Sequence, residues 1–135
     1  IDASKDAVWK AVNSCKFGFA KNITETKSKP NEDNVVGSLR TITYNDTDKT
    51  KQTVQIICRS DINNKLIFRL VSSEPSVKYT SATHSIQLFS ITTENKTFIT
   101  FTSDFSGDVD VSIIQDSKWK KREFFNDLSK ALKQE

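Results

Sequence analysis

The sequence has little that could support metal, redox or phosphate chemistry. Its 135 residues include two cysteines, one histidine, three glycines and two prolines, and no methionine. Cys15 and Cys58 are too few for a disulfide framework. Both stand beside apolar residues and are expected as buried thiols. With one histidine and no CxxC spacing, a Cys/His metal site is not expected, and neither is any other cofactor. No Ser/His/Asp, Cys/His or P-loop arrangement is present. No apolar run approaches ~18 residues, which excludes a transmembrane helix within the sequence. The chain opens on Ile1 without a methionine, so its native N-terminus is expected to be missing or processed. Targeting signals are therefore not legible, and the expected compartment is the cytoplasm.

What is present is enough for one domain, residues 1–135. The net charge is +3, from 20 basic and 17 acidic residues. That balance is too even for a nucleic-acid binder, and no nucleic-acid partner is expected. Leu, Ile, Val and Phe make up roughly a quarter of the chain, above the range that marks disorder.

Periodicity divides the chain into three parts. Asp2 to Asn13 has helical spacing, with Ser4 as N-cap and Ala7, Val8, Ala11 and Val12 on one stripe beside Trp9. A short helical or irregular piece holds Cys15, Phe17 and Phe19. Lys27 to Asn34 reads as a polar turn around Pro30. From Val35 the period becomes two. Strands are expected at Gly37–Asn45, Thr50–Ser60, Lys65–Ser72, Tyr79–Thr93 and Lys96–Phe105, with a weaker one at Ile23–Lys29. Their connections are short and polar, which predicts antiparallel hairpins. Val109 to Gln134 returns to helical spacing, with Ile114, Phe124, Phe125, Leu128, Ala131 and Leu132 on one stripe. Helix, antiparallel sheet and long helix together make an α+β domain in which the last helix covers one sheet face.

Alternation assigns side chains to that face. One set runs Arg40, Ile42, Tyr44; Val54, Ile56, Cys58; Leu66, Phe68, Leu70; His84, Ile86, Leu88; and Ile99, Phe101, Ser103, Phe105. It is mostly large and apolar, with Arg40, Tyr44, His84 and Ser103 as sparse polar members. Unpaired Arg and His are costly in a solid core. The same composition suits a small-molecule pocket. The alternative is that Arg40 and His84 reach water at the sheet rim. These residues, without Cys58 and with Phe124 and Leu128 from the last helix, form the candidate ligand-binding set.

The opening IDASKDAVWKAV, the run VVGSLRTITYNDTDKTKQTVQIICRSDINNKLIFRLVSSEP, the segment HSIQLFSITTENKTFITFTSDFS and the closing FFNDLSKAL occur in an order and spacing that resemble the Bet v 1-like, START and polyketide-cyclase superfamily. The resemblance implies a helix-grip fold. In that fold a strongly curved antiparallel sheet wraps a long C-terminal helix, and two short helices lie near the N-terminus. The first strand would precede or include Ile1, so it is expected to be truncated. The resemblance also implies a hydrophobic ligand such as a lipid, sterol or polyketide-like compound. The glycine-rich loop of pollen-allergen members is replaced by KPNEDNVVG, which leaves a phosphate-binding role for that loop without support.

Three functions remain open, because the superfamily hosts several. Binding or transport of a hydrophobic small molecule without turnover is the first expectation. A cyclase or lyase would use His84 as general acid or base, with Arg40 and Tyr44 in the same pocket. A non-catalytic adaptor would act through the basic run Lys118, Lys120, Lys121 and Arg122 around Trp119, by contact with a membrane or a partner. That run also reads as a solvated face. Asp104, Asp108 and Asp110 read as a solvated turn, not as a calcium loop. Sequons stand at Asn22, Asn45 and Asn95. The chain is expected to be a monomer.

Overall fold

The computed structural model describes residues 1–13, 15, 17–21, 23–28, 36–45, 49–74, 81–91 and 93–133. They form α1 (Lys5–Val12), β1 (Ile23–Ser28), β2 (Leu39–Tyr44), β3 (Lys51–Ser60), β4 (Lys65–Glu74), β5 (Ala82–Ile91), β6 (Lys96–Phe105) and α2 (Val111–Lys133).

Helix α1 begins where the sequence places its cap. Ser4 is extended, and its hydroxyl accepts the Ala7 N–H at 3.3 Å. Asp6 in the first turn and Lys10 in the last complement the helix dipole. Val8, Trp9 and Val12 turn one face into the core. The Trp9 indole N–H donates to the Asp61 carboxylate at 2.9 Å, and Arg59 pairs with the same oxygen at 3.2 Å. Asp61 thus ties α1 to the turn between β3 and β4.

The six strands pair antiparallel in sequence order, β1-β2-β3-β4-β5-β6, as a curled half-barrel. Several turns need the left-handed backbone region. Gly37 enters β2 at φ +91°, and Asn64 and Asn95 take φ +50° and +51° in the β3–β4 and β5–β6 turns. Glycine and asparagine tolerate that region best. At the far edge Ile1 and Thr97 exchange both backbone hydrogen bonds, at 2.9 and 3.0 Å, as an antiparallel residue pair does. The Thr97 hydroxyl donates to the Ala3 carbonyl at 2.8 Å.

The expected strands are present: β6 has its expected limits, β4 runs on to Glu74, two residues beyond its expected end, and the others are shorter at one or both ends. Tyr79, Thr80, Thr92, Gln134 and most of the Lys27–Asn34 turn lie outside the described residues. One alternation is overturned. In β3, Ile56 pairs with Phe68 but Cys58 pairs with Ile67, so Ile57 is an extra residue in a β-bulge. The bulge reverses the parity of the strand's end. Arg59, opposite the fully buried Leu66, turns inward, and Cys58 leaves the inner face and is only half-buried. Cys15 is buried, and both thiols are free.

The segment with Cys15, Phe17 and Phe19 is irregular, and α1 is the one short helix near the N-terminus among the described residues. Cys15 and Phe17 both have positive φ, 58° and 50°. Such strain needs compensation from the surroundings, and Phe17 supplies it by burying its ring against Phe68 and Phe124.

The core lies between the inner sheet face, α1 and the C-terminal half of α2. Ile56, Leu66, Ile86 and Leu128 are fully buried at its centre. The backbone of α2 comes close to α1 and stands off most of the sheet. Side chains bridge that gap, and part of it stays open.

Candidate functional site

The opening between sheet and helix is a cavity of about 170 Å³. The strands line it with Ile23, Ile42, Tyr44, Gln52, Val54, Phe68, His84, Phe101, Ser103 and Phe105. Phe17 and Ala20 close it from the irregular segment. Helix α2 contributes Ile113, Asp116, Ser117, Lys120, Lys121 and Phe124. The last six recur at three- and four-residue intervals, the spacing of one helical face.

Of the candidate set, Ile42, Tyr44, Val54, Phe68, His84, Phe101, Ser103, Phe105 and Phe124 are in the cavity wall. Ile56, Leu66, Ile86, Leu88 and Leu128 pack in the closed core, and Leu70 and Ile99 pack against it. Arg40 is not in the wall either. It has no exposed surface, and its guanidinium donates to the Ser38 hydroxyl at 3.0 Å and to the Leu39 carbonyl at 3.1 Å. Its positive charge acts on Cys15, whose thiol burial pushes up to about 12 against that influence. The enzyme reading needs His84, Arg40 and Tyr44 in one pocket. The cavity wall contains the first and third only.

The cavity has an aromatic floor. Phe124 meets Phe17, Phe19 and Phe101 edge-on, with ring centroids 5.1–5.3 Å apart. Edge-to-face packing of this kind is favourable and holds the rings in place. His84 joins the floor, 5.2 Å from Phe68 and 6.1 Å from Phe105. Its Nδ1 lies 2.6 Å from the Ser103 hydroxyl, at paired positions of β5 and β6. One of the two donates in that bond, and Nε2 takes the complementary role. Burial, with the nearby Lys121 charge, pushes His84 down to about 4. The imidazole is therefore neutral at pH 7 and serves as a polar contact in an apolar wall.

The polar end lies on α2 and the outer strands. Lys120 pairs with Asp116 at 2.9 Å and lies 6.0 Å from the centre of the Tyr44 ring. Lys121 has its ammonium 5.2 Å from the centre of the Phe101 ring. Burial lowers the pKa of Lys121, with Asp104 opposing and Lys118 reinforcing.

Nine of these wall residues are outside the candidate set: Phe17, Ala20, Ile23, Gln52, Ile113, Asp116, Ser117, Lys120 and Lys121. A signal existed for the helix. The face that buries Leu128 continues N-terminally through Phe124, Lys120, Ser117 and Ile113. A core-facing stripe that turns polar halfway along a helix marks a wet or open interior.

The basic run on α2 is split by this geometry. Lys121 faces the cavity, whereas Lys118, Trp119 and Arg122 are exposed, Trp119 by 58%. Asp104, Asp108 and Asp110 are exposed, and Asp108 accepts a hydrogen bond from the Ser106 hydroxyl. Among the described residues no group of three His, Cys, Asp or Glu side chains is placed to hold a metal ion. No helix among them is long and apolar enough to cross a membrane.

No protein-family model and no curated protein sequence matches the chain. Solved structures do. Ara h 8.0201, a Bet v 1 homologue, superposes with a TM-score of 0.81 over 99% of this chain and 93% of its own, at 11% identity. XoxI from Bacillus cereus gives 0.80 over 97% and 89%, at 15% identity. A structural-genomics protein from Nitrosospira multiformis gives 0.79 over 95% and 88%, at 17% identity. The chain has the Bet v 1-like helix-grip fold, an α+β architecture with its sheet curled around the C-terminal helix.

Proposed function

We propose that this chain binds a hydrophobic small molecule in the cavity between the sheet and α2, without turning it over. The observation that carries this reading is the open space of about 170 Å³ against a floor of phenylalanine rings. An apolar space of about 150 Å³ accommodates benzene, so the enclosed part takes roughly one ring. Drug-sized ligands occupy about 300–1,000 Å³. The favoured ligand is therefore a compact aromatic or short aliphatic compound, smaller than a sterol. His84, Ser103 and Tyr44 are the polar groups that fix its orientation. Carriage of such a compound is the function this supports.

Calorimetric titration with toluene, a neutral single-ring compound, tests the reading. Saturable binding near one toluene per chain, weakened at least tenfold by Ile113→Trp, supports it. Absence of saturable binding, or binding indifferent to Ile113→Trp, overturns it.

A further inference from the structure

We infer that the ligand of this cavity is an amphipathic acid, its apolar body on the phenylalanine floor and its carboxylate paired with Lys121. This rests on the binding reading above and names the chemistry of the ligand's polar end.

The two lysines at the polar end are not equivalent. Lys120 already has its counter-ion, Asp116, one helical turn away at 2.9 Å. Among the described residues Lys121 has neither an ion pair nor a hydrogen bond, and its close contact is the face of Phe101. A ring face compensates only part of the solvation that an ammonium loses on moving inward. The cavity wall therefore contains one cation with no protein partner for its N–H donors among the described residues, next to an apolar space.

Charge points the same way. Asp116 is neutralised by Lys120, and Asp104, which favours the charged form of Lys121, is exposed and outside the wall, so among the described residues Lys121 is the unpaired charge of the cavity lining. His84 and Lys121 share that wall, and the Lys121 charge disfavours the charged form of His84. A carboxylate between them would give Lys121 the counter-ion it lacks, beside a neutral imidazole. It would accept from the Lys121 ammonium and from any N–H or O–H that the His84–Ser103 pair directs into the space. Low local dielectric strengthens such a pair relative to the same contact in water. A cationic ligand would find no free carboxylate in the wall, and a neutral one would leave Lys121 as it is.

A matched series separates this inference from the broader one. 4-Phenylbutyrate, 4-phenylbutanol and 4-phenylbutylamine share an apolar body and differ in head charge. Calorimetric titration at pH 7 is expected to show the acid binding about tenfold more tightly than the alcohol, and the amine most weakly. Lys121→Met is expected to abolish the preference for the acid while leaving alcohol binding within about twofold. Lys130→Met, which removes an exposed charge from the same helix, leaves the preference intact. Equal binding of acid and alcohol, preference for the amine, or an acid preference that survives Lys121→Met overturns the inference and leaves the cavity reading standing. Failure of all three compounds to bind overturns both.

Discussion

The carboxylate of Asp127, buried on α2, accepts the backbone N–H of Lys21 at 2.9 Å, although 106 positions separate the two residues. This bond fixes the C-terminal half of the helix to the chain just before β1. The bond is partly buried, so losing the acceptor costs the Lys21 N–H only part of a buried donor's desolvation penalty, about 1 kcal/mol. Asp127→Ala is expected to lower stability by that amount, read as a shift in urea midpoint at unchanged slope. Asp127→Asn, which keeps an acceptor oxygen, should recover about half.

The pH dependence of stability should carry the signature of His84. An imidazole in the unfolded chain titrates near 6.5, whereas burial and the Lys121 charge push His84 down to about 4 in the folded protein. Between these values the unfolded chain binds a proton that the folded chain refuses. The contribution of His84 is thus complete above about pH 6.5 and is lost as pH falls toward 4. With allowance for the partial solvent contact of the ring, the loss is roughly 2 kcal/mol. Urea titrations at pH 7 and pH 4.5 check it. His84→Gln should shrink the difference between the two pH values by that amount.

Thiol chemistry should separate the two cysteines. Cys15 is enclosed and its thiol is pushed up to about 12, so almost no thiolate exists at pH 8. Cys58 was carried off the inner face by the bulge. Native protein with a disulfide reagent at pH 8 is expected to release one equivalent quickly and the second only in denaturant. Cys58→Ala should remove the fast phase.

Asp61 is more than half exposed, yet it holds the indole N–H of the buried Trp9. Asp61→Ala is expected to destabilise by about 1–2 kcal/mol through the donor it strands. In a Trp119→Phe background the emission of Trp9 should change in the same variant. Unchanged stability and emission would show that the contact contributes nothing.

Much of the architecture is readable because two periodicities are strong. Strand β6 matches its expected limits at both ends, and Ser4 caps α1 as its position suggests. What alternation does not encode is local slippage. One extra residue at Ile57 reversed the inner and outer assignments of Cys58 and Arg59. The candidate site was half legible for a related reason. Inner-face residues could be ranked by parity, but parity does not say which lie under the helix and which are packed solid. Arg40 shows this, since it sits on the inner face with its bonds made to Ser38 and Leu39. Lys121 shows the converse. It reads as one cation in a solvated basic run until the distance to Phe101 places it at the cavity wall.

Helix α2 divides its tasks along its length. Leu128 and Asp127 are enclosed near its end, while Val111 and Trp119 in the first half are open to water and every helical residue of the cavity wall lies between positions 113 and 124. Selection can therefore reshape the cavity lining at Ile113 or Ser117 with little penalty to folding, because these side chains border empty space. Divergent copies of this scaffold would be expected to differ first at those positions and last at the anchored end.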